Sequence, residues 1–119
     1  MRLSELDIEK LASEEPPIGV IRHVVGTIMT FIRASVDISF EESKDDIKVW
    51  GILLIDKIKE IHDFYASSSI DPKVKVMIIE VLHEISVQAK AVNWSDEDSV
   101  TEFSRKNFLR SGLIITYSA

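Results

Sequence analysis

Four carboxylates fall into two pairs, each pair one helical turn apart: Asp56 with Glu60, and Glu80 with Glu84. Hard divalent cations such as magnesium take oxygen ligands, and a metal held this way can activate water for nucleotide hydrolysis. All four carboxylates converging between two helices would build such a site. The helical angles argue against it. At about 100° per residue, Asp56 and Glu60 fall roughly 200° and 240° from Leu54, the centre of an apolar stripe. Glu80 and Glu84 lie at similar angles from Ile78, so both pairs are expected on solvated faces. The Glu-x-x-Glu spacing of helical nucleotide pyrophosphohydrolases is missing as well.

Other reactive spacings are equally thin. Glu80 and His83 match the Glu-x-x-His element of di-iron bundles, but such a site needs two of these pairs and two more glutamates pointing inward. His62-Asp63 matches the His-Asp dipeptide of metal phosphohydrolases, and a dipeptide alone specifies little. The three histidines, His23, His62 and His83, never recur at the four-residue spacing of a helical zinc site. There is no Gly-x-Ser-x-Gly and no phosphate-cradling glycine loop; the four glycines are scattered at 19, 26, 51 and 112. The reading is no catalytic residue, no cofactor and no metal.

Two features point to binding. Arg105, Lys106 and Arg110 form the best basic cluster, with Phe108 among them and Tyr117 beyond. Cations interleaved with aromatics can contact phosphates and stack bases. The competing explanation is charge complementarity at a helix C-terminus, with the aromatics in the core. Trp94 stands between helices beside Asn93 and Ser95. A tryptophan there is either a lid on the core or an interface anchor.

The elements that must position these residues are helical. Apolar side chains recur every three or four positions at Ile47, Trp50, Leu54, Ile58, Ile61 and Tyr65, the clearest helical signal in the chain. The segment from Ile18 to Ile32 is apolar nearly all round, apart from a thin stripe of His23, Gly26, Thr30 and Arg33. Such a helix is usually buried, so it is either central or at an oligomer interface. Gly26, Thr30 and Ala34 recur every four residues and would let another backbone approach. Ser4 with Asp7, Ser39 with Glu42 or Ser43 with Asp46, and Ser95 with Asp98 are capping boxes. Asp71-Pro72 is a strong helix start, and Glu15-Pro16-Pro17 a stop.

These signals predict an all-α, single-domain bundle spanning 1–119. It has about five helices near 4–13, 18–35, 40–66, 72–92 and 96–111, then an apolar tail that includes Ile114 and Tyr117. Residues 52–61 and 76–85 match position by position, as two amphipathic helices often do.

Composition bounds the rest. The 119 residues are 45% hydrophobic and 29% charged, which is ordinary for a globular domain able to bury its own core. Isoleucine and valine dominate the apolar set and cysteine is absent. That excludes disulfides and thiolate chemistry and fits the cytoplasm. The longest apolar run, 15 residues interrupted by Arg22 and His23, is shorter than the roughly 20 residues of a membrane span. No membrane association is expected. A net charge of −6 disfavours nonspecific nucleic-acid binding by the whole surface.

The function that fits best is a non-enzymatic helical interaction module, self-associating or a small subunit of a larger assembly. Its contacts would be Gly26, Thr30, Trp94, Ile114 and Tyr117. One alternative is a nucleic-acid-associated subunit of a ribonucleoprotein or DNA-processing complex, using Arg105, Lys106 and Arg110. A metal-dependent nucleotide hydrolase is the third reading.

Overall fold

In the computed structural model, residues 6–106 are described, and among them every regular element is an α-helix. Helix α1 spans Ile8–Glu14, α2 spans Pro17–Ala66 and α3 spans Pro72–Ala91. A fourth helix, α4, covers 97–106, up to the limit of the described residues. The helices share one continuous apolar core.

Counted as continuous runs there are four helices among the described residues, not the expected five, because the second and third predicted helices join across a kink at Ser39. Only Ser39 leaves helical geometry, at φ −173° and ψ 116°, and helix resumes at once. No glycine or proline lies between 27 and 50 to enforce a loop. A single extended residue is therefore enough to bend the helix. The Ser39 hydroxyl accepts from the Glu42 amide at 3.3 Å, so it caps the second half of α2 from within. Ser43, the alternative cap, sits inside the helix.

Three other helix starts use aspartate. Helix α1 begins at Ile8, not near residue 4, because the Asp7 carboxylate accepts from the Glu9 and Lys10 amides at 3.0 and 3.3 Å. Ser4, the expected cap, lies outside the described residues. Asp71 accepts from the Lys73 amide at 2.8 Å and Pro72 takes the first helical position of α3, as expected. Asp96, not Ser95, caps α4 by accepting from Ser99 at 2.9 Å. The Ser99 hydroxyl accepts in turn from the Asn93 amide at 3.0 Å, which ties the loop to the helix.

Helix α2 is the centre of the fold. Its first half buries Ile18, Val20, Ile21, Val24, Val25, Ile28, Met29 and Ile32. Its second half buries Phe40, Ile47, Leu54, Ile58, Ile61 and Tyr65, the predicted stripe with Trp50 only half-buried. Helices α1 and α3 both pack on α2. They contribute Ile8 and Leu11, and Ile78, Leu82, Ile85 and Ala89, respectively. Each fully buried isoleucine contributes about 1.5–3 kcal/mol relative to exposure. Lys75 of α3 reaches back to the end of α2 and donates to the Ser68 and Ala66 carbonyls at 2.7 and 3.4 Å. It places a cation where the helix dipole favours one.

By length and composition α2 is long and apolar enough to cross a membrane. Half of its most apolar window is buried against the rest of the chain.

Candidate functional site

The acidic pairs stay on the outside. Asp56, Glu60, Glu80 and Glu84 are all exposed, and Glu60 pairs with Lys57 at 3.0 Å. Among the described residues no three histidines or carboxylates gather in a way that could hold a metal ion. His62 Nδ1 lies 3.2 Å from Asp63 Oδ1, an in-line neighbour contact on the partly exposed rim of α2. His23 and His83 are exposed.

The basic cluster is only partly described. Arg105 and Lys106 are exposed at the described end of α4, but both are drawn to Glu102, at 3.0 and 3.5 Å. One carboxylate thus offsets part of the positive charge that a phosphate backbone would need to find there. Arg110, Ile114 and Tyr117 lie outside the described residues.

Gly26 and Thr30 occupy the outer side of α2 before the kink. The Thr30 hydroxyl donates to the Gly26 carbonyl at 2.7 Å, a local back-bond on an exposed residue. A Cβ built on Gly26 meets no atom within 4 Å, so the backbone there is open to approach. Ala34 one turn further on is exposed too. Among the described residues no other helix covers the small-residue stripe, and Arg22, His23, Arg33 and Asp37 are exposed around it.

Trp94 is half-buried and covers the core. Its ring lies over Gly51 of α2 and meets Phe103 of α4 edge-on, with centroids 5.5 Å apart and planes at 75°. Trp94 thus links the loop 92–96 and α4 to α2, beside Val100 and Phe103 of α4, which are buried in the shared core. Gly51 was not legible as its partner. The available signal was an isolated glycine within a strong helical pattern, which costs about 1 kcal/mol unless packing requires it.

A second group went unnoticed in the sequence. Ile38, Val49, Ile52, Val76 and Val87 are large apolar side chains left exposed. Val49 and Ile52 are neighbours on one turn of α2, at 58% and 61% exposure, on the side opposite the buried stripe. The periodicity of the buried residues was strong enough to hide this second, shorter one. Val76 and Val87 stand on the outer side of α3.

Among the described residues one buried side-chain polar atom lacks a hydrogen-bond partner. Tyr65 is 3% exposed and its hydroxyl has no hydrogen-bond partner. Burial raises its pKa above the ordinary 10.0.

Comparison with the known protein families, the curated proteins and the solved structures matches nothing to this chain.

Proposed function

We propose that this chain is a non-enzymatic helical interaction module, acting by self-association or as a small subunit of a larger assembly in the cytoplasm, away from membranes. The observation that carries the reading is the adjacent pair Val49 and Ile52. Both are largely exposed on a helix whose opposite side already fills the core. Isolated exposed apolar residues are ordinary, but adjacent ones on a rigid helix make a contact surface. The open Gly26–Thr30 stripe on the same helix supports the reading, because it would let a second helix approach closely. Trp94 serves the fold first and reaches the surface with its outer edge; Ile114 and Tyr117 remain proposed contacts in the tail.

The test is the mass of the protein in solution across a wide concentration range, with recovery from its native lysate. A concentration-dependent oligomer or a stoichiometric protein partner supports the reading. A strict monomer with no protein partner overturns it.

A further inference from the structure

The outer side of the second half of α2 carries charges in an order that is complementary in sign to its own reverse. Centred on Ile52, the exposed residues are Asp45, Lys48, Val49, Asp56 and Lys59. Lys48 and Asp56 lie four residues to either side, about 6 Å along the axis and within about 40° of Ile52 in direction. Asp45 and Lys59 lie seven residues to either side, about 10 Å along and within about 20°. At each level one side is an aspartate and the other a lysine.

We infer that a second copy of this chain docks here, the two α2 helices running antiparallel about a two-fold axis at Ile52. This deepens the interaction reading above and rests on it. In that arrangement Ile52 meets Ile52 of the other copy and Val49 meets the half-buried Ile55. Asp45 faces Lys59, and Lys48 faces Asp56. Every contact off the axis occurs twice, as an isologous interface requires. A parallel pairing would set each charge opposite its own copy, so like charges would meet at all four levels, which selects against it.

Two further observations fit. The ion pairs along α2 join Arg33 to Asp37, Lys44 to Glu41 and Lys57 to Glu60, and the His62 ring lies 3.2 Å from Asp63. Asp45, Lys48, Asp56 and Lys59 belong to no ion pair among the described residues, so their charges are available to a partner. Eleven residues out from Ile52, Glu41 and Asp63 would oppose each other as like charges. Glu41 already pairs with Lys44, and Asp63 lies within hydrogen-bond distance of the His62 ring.

The experiment uses the full chain and two variants, each folded as judged by unchanged helicity and melting. Asp45→Lys with Asp56→Lys makes the face uniformly basic, and Lys48→Glu with Lys59→Glu makes it uniformly acidic. The wild type should sediment as a concentration-dependent dimer. Each variant alone should lose at least about ten-fold in self-affinity, and an equimolar mixture should recover a one-to-one heterodimer. Because the chain has no cysteine, Asp45→Cys mixed with Lys59→Cys reports direction. Cross-linking between the two variants, exceeding that of either alone, supports the antiparallel register. Preferential cross-linking of each variant to itself overturns it. A wild-type dimer indifferent to both charge variants overturns this face while leaving the interaction reading intact. A wild-type monomer at every concentration overturns the pairing itself.

Discussion

The indole of Trp94 lies against the α-carbon of Gly51. A Cβ placed on Gly51 would come within 2.5, 2.6 and 2.9 Å of three ring atoms, closer than any real side chain tolerates. The glycine is thus a socket in the middle of α2, and the tryptophan closes it. Three elements meet at this point, because the same ring also contacts Phe103 of α4.

Gly51→Ala should therefore destabilise the protein, although alanine favours helix over glycine by about 1 kcal/mol. Overpacking costs about 1–3 kcal/mol and should win. In a Trp94→Ala background the socket is empty, and the same substitution should become stabilising by up to about 1 kcal/mol. Denaturant melts of the four proteins form a double-mutant cycle. Equal effects of Gly51→Ala in both backgrounds would disprove the contact.

Tyr65 supplies a second prediction. A buried hydroxyl without a partner costs about 1–3 kcal/mol of desolvation. Tyr65→Phe keeps the ring and its edge-on contact with Phe64, at a centroid distance of 5.0 Å, and removes the hydroxyl. The variant should be as stable as the wild type or more so, by up to about 1 kcal/mol. The pH dependence has a definite sign. With its pKa raised in the fold, Tyr65 holds its proton longer folded than unfolded. Its contribution is constant below pH 10 and is lost as the pH rises beyond the unfolded value. The stability difference between Tyr65→Phe and wild type should therefore widen above pH 10 and stay flat below it. Melts in paired alkaline buffers measure this difference directly.

The buried stripes of α2 and α3 were legible because isoleucine and valine recur at helical spacing with little interruption. Ile47, Leu54, Ile58, Ile61 and Tyr65 are all buried as their period requires. The repeat-like match of 52–61 with 76–85 has the same origin. Leu54 and Ile78 are both buried, Asp56 and Glu80 both exposed. What sequence did not reveal was geometry that depends on one residue. Two capping boxes around Ser39 and Ser43 left the start of the second half of α2 open, and the structure turns at Ser39 through a single extended residue. Asp96 caps α4 in place of the expected Ser95 by accepting from the Ser99 amide, and Asp7 caps α1 at Ile8 by accepting from two backbone amides. The exposed face centred on Ile52 was obscured because its two apolar residues are outnumbered by charges.

Capping gives a third prediction. Asp71→Ala removes the acceptor for Lys73 at the start of α3, and Asp96→Ala the acceptor for Ser99 at the start of α4. Each should cost about 1 kcal/mol. Asp96→Ala should also loosen the loop that carries Trp94, because Ser99 then loses one of the bonds that orient it towards Asn93. Tryptophan emission should shift to the red in Asp96→Ala and remain unchanged in Asp71→Ala. A shift of equal size in both would mean that the loop is held by something other than its cap.

Gly26 should behave in the opposite way to Gly51, although both are glycines within the same helix. No atom stands within 4 Å of a Cβ at Gly26, so Gly26→Ala pays no packing penalty in the isolated chain. It should raise stability by up to about 1 kcal/mol, through helix propensity and a less flexible unfolded chain. If the Gly26–Thr30 stripe is a docking surface, the added methyl, and still more the side chain of Gly26→Leu, should weaken association while leaving the fold intact. Stability and self-affinity would then move in opposite directions. Association unchanged in Gly26→Leu would remove this stripe from the interface and leave the face around Ile52 to carry it.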